Sequence, residues 1–266
     1  MPLLSPSSPR RPSWGRLRVA AVERPVPGSA EITFDVPDGR AGDYLRYDAG
    51  QYLTLRAVVG GERLAQSYSI ILPPHEAWSR QQVTVAASEI PGGRMSPWLV
   101  HDLATGDEVE VLPPMGDFRC GRVEGPGGRH VAVAGGSGIT PVLAVVGHVL
   151  HVDPQAQVRV VLSHRGPASA LGLDRLGQRQ EEHPGRLEVL PVWSREAPDG
   201  GAVTGRLDAR RLTALGVADA DEWWLCGPDG LVATTRSWLL DEGADPEHIH
   251  TEVFLAGEPT GPSLRL

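Results

Sequence analysis

Three glycines and a proline follow an apolar run in VAVAGGSGITP, residues 131–141. Glycine lets a backbone turn tightly and approach a ligand, and Pro141 suits the first position of a helix. Free N–H groups at such a helix start can bind a pyrophosphate. The segment therefore predicts a nucleotide site that includes Gly136 and Gly138, or else a glycine-rich turn that binds nothing. Because GxGxxP departs from GxGxxG, the segment does not predict the common six-stranded dinucleotide-binding fold.

A second glycine-rich turn, PGGRMSPWL at residues 91–99, precedes another helix pattern. Ser96 fits there as an ordinary helix N-cap, which stabilises a helix by about 1 kcal/mol. The same hydroxyl, with the N–H groups of Gly92 and Gly93, would equally hold a second phosphate. The sequence leaves both interpretations open.

Two further segments place polar or reactive side chains at strand ends. LAQSYSI, residues 64–70, alternates like a strand, and Pro73 and Pro74 end it because proline cannot donate to a ladder. WWLCGPDGLV, residues 223–232, puts Cys226 at the carboxyl end of a strand, where ligands bind in open α/β sheets. Each segment has an ordinary alternative: the first is a hydroxyl-rich edge, and the second is a buried cysteine that packs as a small hydrophobe.

Composition excludes several classes of function. The formal net charge of -8 argues against a nucleic-acid surface. All 25 basic residues are arginine, which excludes Schiff-base and P-loop lysine chemistry. The 2 cysteines lie far apart in sequence, so we expect no zinc, iron–sulfur or other metal site. Because the chain lacks both a membrane-length apolar run and a signal-peptide core, we expect a cytoplasmic protein that binds no membrane.

The elements that must position these segments change type after residue 122. Up to that point, short alternating runs separated by Gly, Pro and Asp predict an antiparallel barrel or sandwich. From residue 129 onward, strands alternate with helical patterns, which predicts a parallel sheet covered by helices. We therefore predict a flexible arm at residues 1–13, a six-stranded antiparallel β-barrel at 14–122, a linker at 123–128, a parallel-sheet α/β domain at 129–254 and an unstructured tail at 255–266.

Taken together, these segments resemble the ferredoxin-NADP reductase family of flavoproteins, and they occur in that family's order. The family's Arg-x-Tyr-Ser strand is matched by residues 66–69, its Gly-x-x-Ser turn by residues 93–96 and its Pro-x-Gly-x-Phe segment by residues 114–118. The nicotinamide loop, the Cys-Gly-Pro turn and a terminal strand with Glu and an aromatic residue follow, at residues 136–141, 226–228 and 252–254. The likeness covers about residues 14–254 and implies a FAD-binding barrel followed by a NAD(P)-binding domain.

The resemblance assigns flavin-binding roles to barrel residues. Tyr68 would lie against the flavin ring, and Ser69 would hydrogen-bond near the ring nitrogen that accepts hydride. The turn at Gly92, Gly93 and Ser96 would hold the FAD pyrophosphate.

The second half would hold the nicotinamide nucleotide. Thr140 and Cys226 would place the nicotinamide over the flavin, Glu252 would orient it, and Phe254 would cover the far face of the flavin ring. The resemblance thus implies that Ser69, Cys226 and Glu252 are catalytic. The remaining residues implied to line the nucleotide are Gly136, Gly138, Pro141 and Gly227.

One position departs from the family pattern. Where the family has an arginine on the flavin phosphate, this chain has Gln66, whose amide cannot replace a fork of charged donors. Arg63 or Arg94 could compensate, whereas Glu89 adds negative charge beside the turn. The alternative is therefore a family member with weak or no flavin binding that serves as a binding subunit or a non-redox enzyme.

The choice between NADPH and NADH depends on which residues would contact the 2′-phosphate of the nucleotide. Arg165 ends one predicted strand, and Ser194 and Arg195 end the next, a pair that NADPH-using relatives also show. Arginine and a hydroxyl converging on a phosphate favour NADPH, with NADH as the alternative.

Within the family, the segments YLRYDAGQYLTLR, LAQSYSI, PGGRMSPWL and VWSRE resemble the reductase components of multicomponent oxygenases, such as that of phenylacetyl-CoA epoxidase. Members of that subgroup continue into a ferredoxin domain, which the present sequence lacks. We therefore expect electrons to pass to a separate ferredoxin or oxygenase component, or the chain to be a fragment. A flavin reductase that acts on small acceptors would keep the same cofactors, and the oligomeric state is not predicted.

Overall fold

The computed structural model describes residues 12–121, 126–195 and 203–254. Most of the predicted arm, the predicted tail and part of the predicted linker lie outside these ranges. The described chain forms two six-stranded sheets, one from each half of the sequence.

The first sheet is antiparallel and has the order β4-β3-β6-β1-β2-β5. An isolated bridge between Ile70 and Val85 joins its two end strands, so the sheet curls into a barrel around buried residues such as Phe34 and Leu53. The strands are β1 Gly15–Glu23, β2 Ser29–Asp35, β3 Tyr52–Val59, β4 Glu62–Ser69, β5 Gln82–Ser88 and β6 Glu108–Val111.

The turn between β3 and β4 is a glycine hairpin. Gly60 and Gly61 have φ values of 59° and 82°, the left-handed conformation that a two-residue hairpin turn requires. This turn fixes the register of the two strands, so that Val59 pairs with Glu62 and Tyr52 pairs with Ser69.

Three short helices accompany the barrel: α1 Ala41–Tyr44, α2 Pro74–Arg80 and α3 Met95–His101. The interpretation of Pro73 and Pro74 as strand terminators was incomplete. Strand β4 ends earlier, at Ser69, and the two prolines form the N-cap and the start of α2. Proline suits a helix start because its ring presets φ and its missing N–H is not needed there.

The second sheet is parallel and has the order β10-β9-β8-β7-β11-β12. Its strands are β7 Arg129–Gly135, β8 Gln157–His164, β9 Leu187–Trp193, β10 Val203–Thr204, β11 Glu222–Gly227 and β12 Ile249–Val253. The helices that connect them are α4 Ile139–Val152, α5 Leu173–Glu182, α6 Ala209–Leu215 and α7 Asp229–Asp241. Because β7 lies between β8 and β11, the strand order reverses there, and ligands of open parallel sheets bind at such a point.

This arrangement confirms the predicted architecture of an antiparallel barrel followed by a parallel α/β sheet. In the described ranges, no helix is both long and apolar enough to cross a bilayer.

Contacts from α5 and α4 attach the second half to the barrel. The guanidinium of Arg175 on α5 donates from Nε to both carboxylate oxygens of Glu31 on β2, at 2.9 Å each. One turn later Arg179 pairs with Glu76 on α2. The His151 ring at the end of α4 stacks on His75, with centroids 3.6 Å apart.

Candidate functional site

The turn after β7 lies directly against the end of β11. A Cβ added to Gly138 would overlap the carbonyl of Cys226, so glycine is required for this approach. Gly227 has a φ of 148°, and a Cβ there would lie 3.0 Å from the backbone of Gly135. Glycine on both sides therefore brings the two loops together at the point where the strand order reverses.

Helix α4 begins immediately after this turn. Gly136 adopts a φ of 55° and has open space around its Cα, as a backbone that approaches a ligand would need. The helix starts at Ile139, so Pro141 is the third helical residue and not the first as predicted. It still lies in the first turn, where N–H groups have no partner within the helix. Thr140 is buried, and its hydroxyl donates to the carbonyl of Ser137 at 2.9 Å.

A thiol and a carboxyl group meet at the carboxyl ends of β11 and β12. Cys226 and Glu252 pair in register, and Sγ lies 3.9 Å from Oε2. Burial, together with the carboxylate, raises the pKa of the Cys226 thiol well above its ordinary value. Burial also raises the pKa of Glu252 from its ordinary 4.5 to about 7. Near neutral pH the site thus holds a neutral thiol beside a carboxyl group that readily exchanges a proton.

Phe254 follows β12 at this end of the sheet. Its N–H donates to the carbonyl of Gly227 at 2.9 Å, and its ring packs against the core cluster that includes Cys226 and Phe118. The strand end that carries Glu252 is thereby fixed to the Cys226 loop.

Tyr52 on β3 is the barrel residue whose pKa responds to Glu252. Its phenol is half-buried, and its pKa is raised by burial and by the negative charges of Glu252 and Asp117. Tyr52 pairs in register with Ser69, while Gly116 lies against its ring. Tyr52 therefore has Ser69 as its register partner within the barrel and is influenced by Glu252 from the parallel sheet.

Sequence reasoning did not single out Tyr52. A signal was present, because counting back from the glycine hairpin pairs residue 52 with Ser69. Residues paired across antiparallel strands lie on one face of the sheet, so Tyr52 had to share the face of Ser69.

Tyr68 lies within the barrel core, only 8% exposed. Its hydroxyl is buried and has no hydrogen-bond partner among the described residues. A buried hydroxyl left unpaired costs about 1–3 kcal/mol. A polar ligand atom beside this hydroxyl would remove that cost. Gln66, two residues earlier, is half-buried and pairs in register with Leu55.

The turn before α3 is held together by Ser96. Its hydroxyl accepts the N–H of Ile90 at 3.0 Å, and the N–H of Gly93 donates to the carbonyl of Ile90 at 2.8 Å. The N-cap interpretation of Ser96 is wrong, because α3 starts at Met95 and Ser96 is its second residue. Gly92 has a φ of 77° and open space where a side chain would be.

Charged side chains near this turn form pairs with one another. Arg94 pairs with Glu62 and donates to the carbonyl of Val59 at 3.0 Å, which connects the turn to the β3–β4 hairpin. Glu89, whose charge we expected to oppose an anion, lies 3.0 Å from Nε2 of His101.

The three residues predicted to meet a 2′-phosphate lie at neighbouring strand ends. The N–H of Ser194 donates to the carbonyl of His164 at 2.8 Å, and the N–H of Arg195 donates to that of Arg165 at 3.0 Å. Both arginine side chains are exposed. The structure thus brings these residues together at the same edge of the sheet as Gly136 and Cys226.

Two family models match the chain. An oxidoreductase FAD-binding domain matches residues 24–120, and an oxidoreductase NAD-binding domain matches residues 132–237. The first match covers the barrel and the second covers most of the parallel sheet.

Curated relatives extend this likeness. The chain is 32% identical over 243 residues to one subunit of the 1,2-phenylacetyl-CoA epoxidase of Escherichia coli, covering 90% of this chain and 67% of that protein. It is 32% identical over 216 residues to the reductase subunit of an aromatic O-demethylase of Amycolatopsis, covering 79% of this chain and 61% of that one. The chain thus spans about two thirds of the length of these relatives.

Solved structures share the fold. A ferredoxin NADP+ reductase from Neisseria gonorrhoeae, with bound FAD and NADP, matches with a TM-score of 0.71 and 21% identity, covering 90% of this chain and 98% of that chain. With both halves and their order matched, the chain belongs to the ferredoxin-NADP reductase family of FAD- and NAD-binding oxidoreductases.

Proposed function

We propose that the protein takes hydride from NADPH onto FAD and passes the electrons singly to a separate ferredoxin or oxygenase protein. The observation that carries the proposal is that a residue of the parallel sheet, Glu252, acts on a residue of the barrel, Tyr52. The charge of Glu252 raises the pKa of Tyr52, whose register partner is Ser69 on the barrel. A flavin held by the barrel and a nicotinamide held by the sheet would therefore meet there.

The barrel residues fit FAD. The buried hydroxyl of Tyr68 needs a polar partner, and FAD carries hydroxyl groups that would supply one. Gly92 offers open space, and Ser96 fixes the turn through the N–H of Ile90 while keeping its own proton to donate. Tyr68 and Ser69 would hold the flavin, and Gln66 with the turn at Gly92 would hold the diphosphate.

The sheet residues fit a nicotinamide nucleotide. Gly136, Gly138 and Gly227 permit the close backbone approach that a diphosphate at a helix start requires. Thr140 and Pro141 form the start of that helix, while Phe254 fixes the neighbouring strand end. When bound, FAD supplies hydride acceptance and one-electron release, which no side chain provides.

The chain's own catalytic contribution is alignment and proton control. Cys226 stays a neutral thiol, so it packs against a ring without adding charge. Glu252 holds a proton below about pH 7 and releases it above, next to the reacting groups. Ser69 is buried beside Tyr52, where its hydroxyl can donate to the flavin edge. Alignment in a site that excludes water is a large part of such catalysis.

The preference for NADPH is supported by charge. Arg165, Arg195 and Ser194 lie at adjacent strand ends, and a guanidinium with a hydroxyl suits a phosphate monoester. A 2′-hydroxyl, as in NADH, would offer no negative charge to the guanidinium groups of Arg165 and Arg195.

The acceptor is proposed from the relatives' names, which describe one subunit of an epoxidase and the reductase subunit of an O-demethylase. Both relatives are longer than the span matched here. The redox-silent alternative finds no support in these matches, although Gln66 still predicts weaker flavin binding than an arginine would give.

The proposal is tested by titrating the purified protein with FAD and then assaying transfer from NADPH to cytochrome c, a one-electron acceptor protein used as a probe. We expect saturable FAD binding and cytochrome reduction that requires both FAD and NADPH. A protein that binds no FAD, or whose bound FAD transfers no electrons, would refute it.

A further inference from the structure

His164 lies among the residues proposed for the 2′-phosphate but has no role in that proposal. It ends β8, is half-buried, and pairs in register with Trp193 on β9. Its carbonyl accepts the N–H of Ser194, and Arg165 follows it in the chain. His164 therefore belongs to the same edge of the sheet as the proposed phosphate contacts.

Ser169 contacts one nitrogen of the His164 ring. The hydroxyl of Ser169 lies 3.1 Å from Nδ1 of His164 and 3.2 Å from the carbonyl of Gly166. A carbonyl can only accept, so when the serine proton is donated to Gly166, the same oxygen accepts an N–H from Nδ1. The neutral ring then has a bare lone pair at Nε2.

Burial and a neighbouring charge favour the neutral form of this ring in the absence of an anion. Burial lowers the pKa of His164, and the positive charge of Arg165 lowers it further. A phosphate dianion would reverse both effects, since it offers a partner for the imidazolium and offsets the charge of Arg165. An Nε2 that gains a proton becomes a charged donor, whereas a bare lone pair would repel phosphate oxygen.

Resting on the proposed function, we propose that His164 is a further 2′-phosphate contact that takes up one proton at Nε2 from solvent when the phosphate binds, with Ser169 as its positioning residue. Discrimination between phosphorylated and unphosphorylated nicotinamide cofactors then depends on pH. The phosphate remains a dianion, and no bond other than the new N–H is made.

The test is isothermal titration with adenosine 2′,5′-bisphosphate and, for comparison, adenosine 5′-monophosphate, which lacks the 2′-phosphate. Measurements from pH 7 to 8.5 stay above the phosphate's own ionisation near pH 6. We expect the affinity of the wild-type protein for the bisphosphate to fall by roughly three- to tenfold across this range, with proton uptake in buffers of different ionisation heat. Binding of the monophosphate should not change with pH.

His164→Asn should abolish this pH dependence and the proton uptake while leaving monophosphate binding intact. Ser169→Ala should reduce the pH dependence, and Ser169→Thr, which keeps a hydroxyl, should restore it. His183→Asn is the matched control, because His183 follows α5, before β9, and should behave as wild type. Nuclear magnetic resonance of labelled histidine should show the His164 signal moving to the protonated form on adding bisphosphate only.

Equal pH dependence in wild type and His164→Asn, or pH-independent binding by the wild type, would overturn the inference and leave the reductase proposal standing. A protein that binds the bisphosphate no better than the monophosphate would overturn the inference and the NADPH preference together. Neither result affects the FAD titration, so the two proposals fail separately.

Discussion

At the scale of single residues, Glu252 is a carboxyl group whose burial brings its pKa close to neutral pH. Its pKa rises from 4.5 to about 7 because the carboxyl group is buried, and the hydrogen bond with Cys226 offsets only part of this rise. Between these values the native protein holds a proton that the unfolded chain has lost. The free energy of unfolding therefore falls as pH rises from about 4.5 to about 7.

We expect Glu252→Gln to remove this fall in the free energy of unfolding with rising pH. Its free energy of unfolding should match that of wild type near pH 5 and exceed it at pH 8 by at most on the order of 3 kcal/mol. Denaturant unfolding of both proteins at the two pH values measures the difference. Glu247→Gln, an exposed neighbour, is the control. A constant difference between Glu252→Gln and wild type would mean that Glu252 is not protonated in the folded protein.

Gln66 is a single residue whose replacement should improve FAD binding. Replacing it with arginine restores a charged fork beside the proposed diphosphate site, and a hydrogen bond to a charged group contributes about 1.5–3 kcal/mol. Gln66→Arg should therefore tighten FAD binding by roughly tenfold to a hundredfold in equilibrium dialysis. Gln157→Arg adds the same charge at an exposed site on β8 and should change nothing. If both variants bind FAD like wild type, the diphosphate does not lie beside residue 66.

At the scale of elements, the approach of the β7–α4 turn to the end of β11 is set by one missing side chain. Gly138→Ala would push a methyl group into the carbonyl of Cys226. We expect a loss of about 1–3 kcal/mol in the free energy of unfolding, and weaker NADP+ binding. Gly230→Ala, in α7 with open space around it, is the control and should be neutral or stabilising by up to about 1 kcal/mol. Normal NADP+ binding by Gly138→Ala would show that this approach is not needed.

The strands were predictable from sequence because apolar and polar residues alternate wherever one face of a sheet is buried. The hairpin at Gly60 was predictable because a left-handed turn nearly demands glycine. Helix α2 was missed because proline ends a strand and begins a helix equally well. Helix α6 was missed although Asp208 caps it, accepting the N–H of Arg211 at 2.9 Å.

The candidate site was predictable only where the chain keeps its ligand-binding groups in short motifs. Cys226 and Gly138 each stand in such a motif, but their contact joins two segments far apart in sequence. The facing of Tyr52 and Glu252 depends on how the two halves dock, which no local pattern encodes.

At the scale of the whole molecule, docking of the halves rests partly on the pair formed by Arg175 and Glu31. Glu31 is 4% exposed, so its carboxylate depends on the guanidinium for compensation. Arg175→Met should lower the free energy of unfolding by about 3–5 kcal/mol, because it leaves a buried charge unpaired. The double variant with Glu31→Gln should recover part of that loss.

Urea unfolding of the single and double variants measures these differences, with Arg210→Met at an exposed position as the control. Equal losses in Arg175→Met and Arg210→Met would show that the buried pair does not stabilise the assembled halves.

In the proposed function, two nucleotides react where the barrel meets the parallel sheet. The most direct measurement is anaerobic addition of NADPH to the FAD-loaded protein while the visible absorbance of the flavin is recorded. We expect one equivalent of NADPH to bleach one equivalent of flavin. Flavin that stays bound and oxidised in excess NADPH would contradict it.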